Sequence, residues 1–171
     1  LNHYKLKINR EKSHFGYSRV LMLGHYISGA EKGVDPLKAS RALEWPPPKT
    51  GKDIQKFLGF TNFIRGYIPG YAKICAPIDA LRNEKKLNQK QREQAAHSFK
   101  VLGRAINGSP VLSTADPALP YLVATDASLS GLGAVLYQQS DLNDNATIKY
   151  IEFASTSLKG PQKNYGATKR E

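Results

Sequence analysis

Apolar positions along the chain change period once, and the change separates a helical stretch from a strand-rich end. Residues 50–68 (TGKDIQKFLGFTNFIRGYI) put Ile54, Phe57, Leu58, Thr61 and Ile64 on one face at 100° per residue, which predicts an amphipathic helix. Thr50 is its expected cap, with Asp53 three residues on as an approximate capping box, and Pro69-Gly70 ends it. Lys49, Lys52 and Lys56 fall on the opposite side, near Phe60 and Phe63. Upstream, LNHYKLKIN (1–9) reads as a helix end running into a short strand, and SRVLMLGHYIS (18–28) has β character with a bend or bulge at Gly24. Asp35 before Pro36 predicts a capped helix to about Trp45, stopped by the proline run WPPPK because proline lacks the amide donor. A third helix is expected over 71–82 with Pro77 as a kink, then a polar linker over 83–92, then a fourth helix over 91–107. Gly108-Ser109-Pro110 breaks the pattern. Beyond it PVLST, LPYLVATD, GLGAVLYQQ and TIKYIEFAST read as strands, and KGPQKNYGATKRE begins a helix at Pro161. No internal repeat is visible.

The 171 residues suffice for one medium domain or two small ones, and 40% hydrophobic residues suffice for a packed core. The longest apolar runs are five or six residues, so neither a signal peptide nor a spanning helix is predicted. Leu1 at the start and a pattern running unbroken to Glu171 make the chain read as a piece of a longer one. Cys75 is the only cysteine, which excludes an internal disulfide and a cysteine-based zinc site; within AKICAPIDAL it reads as a buried structural thiol. His3, His14, His25 and His97 have no zinc-type spacing.

Charge is unevenly placed. Residues 1–110 carry 20 Lys and Arg against 8 Asp and Glu, whereas residues 111–171 carry 5 against 6, within a net charge of +11. A basic front joined to a neutral end favours a polyanion partner for the front over a merely solvated basic surface.

One carboxylate stands out. In YLVATDASLSGLGAVLYQQ (121–139), Asp126 ends an apolar run that looks like a buried strand. From the residues alone two readings stand side by side: Asp126 caps a turn before Ser128 and Gly131, or it holds a metal ion.

Taken together, TDAS, GLGAVLYQ, FASTSL and KNYGATKRE resemble the ribonuclease H domain of gypsy-type LTR-retrotransposon reverse transcriptases. The upstream LKIN-EK-HFG, LGHYIS, WPPPKTGKDIQKFLGFTNFIRGYI and PVL resemble the end of that family's polymerase palm, its thumb and its connection, in the family's order. The resemblance implies an α+β chain: the end of the palm (1–34), a helical thumb (35–84), a connection helix and linker (85–117), and an incomplete ribonuclease H-like α/β domain (118–171) of three antiparallel strands and the start of a helix. It also implies that Asp126 and Glu171 are catalytic, metal-binding carboxylates. Two Mg²⁺, or Mn²⁺ in their place, would activate a water and neutralise the leaving oxygen in phosphodiester hydrolysis, and such hard cations require oxygen ligands. Glu152 either faces the same site or lies on a solvated strand face.

In the same resemblance Lys12, Gly24, His25, Lys49, Lys52, Lys56 and Arg65 contact nucleic acid. LGHYIS is similar to the turn that grips a primer strand, and the helix 50–68 to the one lying along the duplex. Lysines on one face suit base-independent phosphate contacts. Lys12 corresponds to a polymerase lysine near the incoming nucleotide, with a solvated lysine as the alternative. The expected function is a reverse transcriptase/ribonuclease H that copies RNA into DNA and cleaves the RNA of RNA–DNA hybrids. Its expected partners are the hybrid, the primer–template duplex and the rest of the Pol polyprotein (protease and integrase), with no membrane. The expected setting is intracellular, in a cytoplasmic virus-like particle with a nuclear stage. These residues contain no YxDD turn and no third ribonuclease H aspartate, so the chain alone is expected to bind nucleic acid without catalysis. The alternative reading is a non-catalytic or host-adopted nucleic-acid-binding module.

Overall fold

A computed structural model describes residues 2–4 and 7–166. The chain begins with short 3-10 turns at Asn2–Tyr4 and Arg10–Lys12. Residues 7–9 form no strand, in contrast to the expectation for that stretch; Asn9 instead accepts the Lys12 amide at 3.2 Å and caps the turn.

Strands β1 (Arg19–Met22), β2 (His25–Ser28) and β3 (Glu31–Val34) form an antiparallel ladder. The predicted bend at Gly24 is a two-residue hairpin turn. Leu23 and Gly24 both have positive φ, 51° and 83°, as the tight hairpin turn matching strand twist demands. Strand β4 (Leu112–Ser113) completes the sheet against β3, giving the order β1-β2-β3-β4.

Between β3 and β4 lie four helices. Helix α1 (Pro36–Leu43) starts where Asp35 accepts the Leu37 amide at 2.9 Å. Helix α2 (Gly51–Asn62) has the full capping box: the Thr50 hydroxyl oxygen accepts the Asp53 amide, and the Asp53 carboxylate accepts the Thr50 amide at 3.0 Å. It stops at Asn62, earlier than predicted, and the chain continues through a 3-10 turn at Arg65–Tyr67. Helix α3 (Tyr71–Asp79) contains Pro77, and helix α4 (Gln89–Asn107) begins inside the predicted linker because Asn88 and Gln91 form a second capping box.

The core lies among these helices. Ile54, Phe57, Ile64, Ile78, Leu102 and Ile106 are fully buried, and Phe57 stacks on Phe99 with ring centroids 3.9 Å apart. Each such side chain contributes about 1.5–3 kcal/mol by leaving water. Helices α1 and α4 approach closely because Ala39, Ala42 and Gly103 are small; a Cβ on Gly103 would lie 2.8 Å from the Ala42 carbonyl oxygen. Cys75 is buried, as predicted, and burial pushes its thiol pKa up to about 11.

The last third forms a separate antiparallel sheet of β5 (Leu122–Ala127), β6 (Gly131–Gln139) and β7 (Ile148–Ser157), in that order. A bulge interrupts the β6–β7 register after Leu136. Gln138 is buried and ties the incoming loop to the sheet: its amide oxygen accepts the Asp116 amide, and its NH₂ donates to the Asp116 and Leu119 carbonyls, all at 2.8 Å. The β7 side of the sheet docks on α3. Phe153 packs against the helical core, the Ser155 hydroxyl accepts the Ala72 amide at 2.9 Å, and the Ser157 hydroxyl donates to the Ala72 carbonyl at 3.3 Å. The segment predicted as a final helix opens with a 3-10 turn at Gly160–Asn164.

Candidate nucleic-acid interface and carboxylate site

Asp126 lies on β5, directly opposite Gly133 of β6, which in turn faces Ser155 of β7. Side chains in register share a face, so Asp126 and Ser155 project to the same side, with no side chain on Gly133 between them. The strand is not the buried one that its apolar run suggested. Most of β5 is exposed, Asp126 included, at an edge of the three-stranded sheet.

The turn-capping role falls to Ser128 rather than Asp126. The Ser128 hydroxyl oxygen accepts the Gly131 amide at 3.0 Å and sits 2.9 Å from the Gly131 carbonyl, to which it donates. Asp126 itself makes no side-chain hydrogen bond or ion pair among the described residues. It lines an open pocket of about 580 Å³ with Thr125, Leu132, Ala134, Thr156 and Arg65. Arg65 comes from the 3-10 turn after α2 and donates to the Ser155 carbonyl at 3.3 Å. A cation from the turn after α2 and a sheet carboxylate thus border one space.

No group of three or more His, Cys, Asp or Glu that could hold a metal occurs among the described residues. A single exposed carboxylate nevertheless suits Mg²⁺, which keeps several waters and uses one or two carboxylates together with substrate phosphates. Glu171, the second predicted ligand, lies outside the described residues. Glu152 is exposed on β7, near Gly66, and does not line the Asp126 pocket.

The predicted nucleic-acid contacts fall into three places. Gly24 and His25 sit in the β1–β2 hairpin beside the end of α2. The His25 ring stacks on Phe63 (4.5 Å) and on Tyr67 (5.3 Å), and Lys38 lies 4.3 Å over Phe63 while donating to the Leu23 carbonyl at 3.3 Å. Burial first, then the charges of Lys38 and Lys32, hold the His25 pKa below its ordinary 6.5, so the ring is neutral at neutral pH. Its Nδ1 is buried without a hydrogen-bond partner among the described residues. Lys49, Lys52 and Lys56 are exposed on the outer side of α2, where Lys49 and Lys56 border a groove of about 370 Å³ with Trp45 and Asp53. The Lys49 and Thr50 hydrogen bonds to the Asp53 carboxylate lower its pKa, which keeps that cap ionised. Lys12 is exposed in its own turn and lines neither of these spaces.

Sequence periodicity did not point to Lys38, Arg82 or Lys159. Lys38 reaches the hairpin through the tertiary fold. Arg82 and Lys159 meet across 77 positions at Asp79, at 3.1 and 3.9 Å. Phe60, read near the lysine face, tilts against Trp45 at 5.0 Å and belongs to the core edge.

A helical unit on a four-stranded sheet, followed by a three-stranded antiparallel sheet bearing a strand carboxylate, defines a reverse transcriptase/ribonuclease H-type architecture. Solved structures of similar shape agree. The foamy viral protease–reverse transcriptase in complex with RNA/DNA hybrid matches with a TM-score of 0.78 over 94% of this chain and 21% of its own, at 21% identity. The same viral protein in complex with dsDNA matches with a TM-score of 0.73 over 90% of this chain and 31% of its own, at 20% identity. Residues 92–171 match the RNase H-like domain found in reverse transcriptase. The Pol polyprotein of transposon opus from Drosophila melanogaster is 32% identical over the whole chain, and the Tf2-3 polyprotein of Schizosaccharomyces pombe 30%. The uncharacterized mitochondrial protein AtMg00860 of Arabidopsis thaliana is 38% identical over 67% of the chain and 72% of its own length. Residues 92–171 are thus similar to the RNase H-like domain found in reverse transcriptase, and the chain's relatives are retrotransposon Pol polyproteins. The chain spans 18% of the opus polyprotein and 12% of Tf2-3.

Proposed function

We propose that the chain is the part of a retrotransposon Pol polyprotein that joins the polymerase thumb to ribonuclease H, and that it holds an RNA–DNA hybrid or primer–template duplex between the two. The observation that carries this reading is the shared pocket of Asp126 and Arg65, set where a basic helical unit meets the sheet. The parent enzyme synthesises DNA on an RNA template and hydrolyses the RNA of the hybrid. It works alongside the polyprotein's protease and integrase, in a cytoplasmic virus-like particle with a nuclear stage. No helix among the described residues is long and apolar enough to cross a membrane.

In this reading Lys49, Lys52 and Lys56 neutralise phosphates along one duplex backbone. They read charge and spacing rather than bases, as copying any sequence requires. Gly24 and His25 place a second strand against the hairpin, and Lys12 contacts the nucleic acid upstream. Asp126 and Glu171 would hold Mg²⁺ or Mn²⁺, which when bound supplies an activated water and charge neutralisation on the departing oxygen. Asp126 offers an exposed carboxylate with no competing partner among the described residues. Arg65 holds a phosphate beside it. The chain alone, without a YxDD turn or the full set of carboxylates, binds without turnover.

Two measurements on the full chain test this. Titrating Mn²⁺ while recording amide resonances should broaden the signals of Ala124–Gly133 first, and Asp126→Asn should remove that preference. Fluorescence anisotropy with a blunt RNA–DNA hybrid should give an affinity that falls with salt at a log–log slope of about −2.7 for three lysine–phosphate contacts. Salt-insensitive binding, or none, overturns the duplex assignment. Retained hybrid binding with no Mn²⁺ effect at Asp126 supports the non-catalytic module instead.

A further inference from the structure

A second cleft adjoins the Asp126 pocket. Its volume is about 550 Å³, and it runs between α2 and α3 on one side and β7 on the other. Arg65, Ser155 and Thr156 border both spaces, so the two lie side by side across this part of β7. Asp126 and Ser155 stand two strand spacings apart, about 10 Å, and Ser155 is shared with the cleft.

The cleft is polar and cationic along its rim. Arg65, Arg82 and Lys159 line it against a single carboxylate, Asp79, which pairs with both Arg82 and Lys159. Arg65 has no carboxylate partner among the described residues and is held in place by the Ser155 carbonyl at 3.3 Å. The floor offers no stacking platform: Tyr71 is buried, and its hydroxyl is 2.9 Å from that of Thr61. A cleft of this size accepts a ligand of small-molecule dimensions and keeps a duplex outside. Cations without an aromatic surface favour backbone phosphates and give no preference among bases.

We infer that this cleft takes one single nucleic-acid strand by its phosphodiester backbone, with Arg65 bridging the strand between the cleft and the Asp126 pocket. The inference rests on the functional reading above and adds the path of one strand to it. A strand freed from pairing near Asp126 passes over Arg65 and then between α3 and β7, with Arg82 and Lys159 along its exit. The duplex lies along the α2 lysines and reaches the Asp126 pocket, and only the freed strand enters the cleft.

Anisotropy on the full chain, with a labelled homopolymeric single-stranded RNA and separately with a blunt RNA–DNA hybrid, tests the inference. Single-strand affinity should fall with salt at a slope of about −2.1 for three backbone contacts. Arg82→Gln and Lys159→Gln should each weaken the single strand at least three times more than the hybrid, Arg65→Gln should weaken both ligands, and Lys52→Gln should weaken the hybrid more than the single strand. Thermal melting checks that each variant is folded. Because Lys159 is exposed and away from the core, its variant keeps the test alive if Arg82→Gln unfolds. Equal losses for both ligands in both cleft variants, or no single-strand binding by the unaltered chain, overturn the strand path. Loss of hybrid binding alone, with single-strand binding and its cleft dependence intact, overturns the duplex reading and leaves the cleft standing.

Discussion

The two ends of this molecule are held together by different means. Among the described residues, every buried hydrophobic side chain except Ile151 and Leu158 lies between Val34 and Leu112. The three-stranded sheet has a long backbone ladder but little core of its own; Val123 is 63% exposed, and Asp126 is in solvent. The helical unit is therefore shaped by side-chain packing, whereas the sheet is shaped by its ladder, by Gln138 and by docking of β7 on α3. The difference separates rigidity from access. The well-packed unit carries the lysines and Arg65 on fixed elements, and the open sheet leaves its carboxylate within reach of a ligand.

Substitutions of matched severity should expose this contrast. The largest effect is expected for Phe57→Ala, which removes a fully buried ring stacked on Phe99 and should cost about 3–5 kcal/mol in denaturant unfolding. Next comes Gly103→Val. Its side chain would press on the Ala42 carbonyl and part α1 from α4, a loss of about 1–3 kcal/mol measured the same way. Thr50→Ala breaks the α2 capping box and should cost about 1 kcal/mol.

A pH effect follows from His25. Its folded pKa lies below 6.5, so the unfolded chain binds the proton more readily. The stability contributed by the neutral ring is present above about pH 6.5 and is lost as pH falls through the lower folded value. Urea midpoints should drop between neutral pH and about pH 5, and His25→Phe should flatten that part of the decline. The smallest effect is expected for Val123→Thr on the exposed sheet, within about 0.5 kcal/mol. A loss there as large as that of Phe57→Ala would erase the contrast between the two regions.

Local signals in the sequence carried much of this far. On α2 the predicted face of Ile54, Phe57 and Thr61 is buried with Leu58 half-buried, Ile64 is buried just past the helix end, and Asp35, Thr50 and Asp53 cap where their side chains allow. Strands β5, β6 and β7 stand where the alternating and small-residue runs put them. What depends on long-range placement was not legible. The apolar run before Asp126 reads the same in a covered strand and in an edge strand, and only the surroundings decide between them. Helix α4 starts early because Asn88 caps it, a signal submerged in a polar run. Of the site, Asp126 was visible as a strand-end acid, but its approach to Arg65 is set by β7 docking on α3, which no local period encodes.

Strand β4 has a consequence for how the molecule is made. Glu31 pairs with Ser113 and Lys32 with Leu112, so two stretches 80 to 82 positions apart must meet before the first sheet is complete. A ribosome adding about 5–20 residues per second leaves the outer edge of β3 bare for roughly 4–16 seconds. During that interval a neighbouring nascent chain can use the same hydrogen-bonding edge. Slow codons between positions 34 and 112 therefore prolong the vulnerable period, while a pause after position 113 lets the sheet close first.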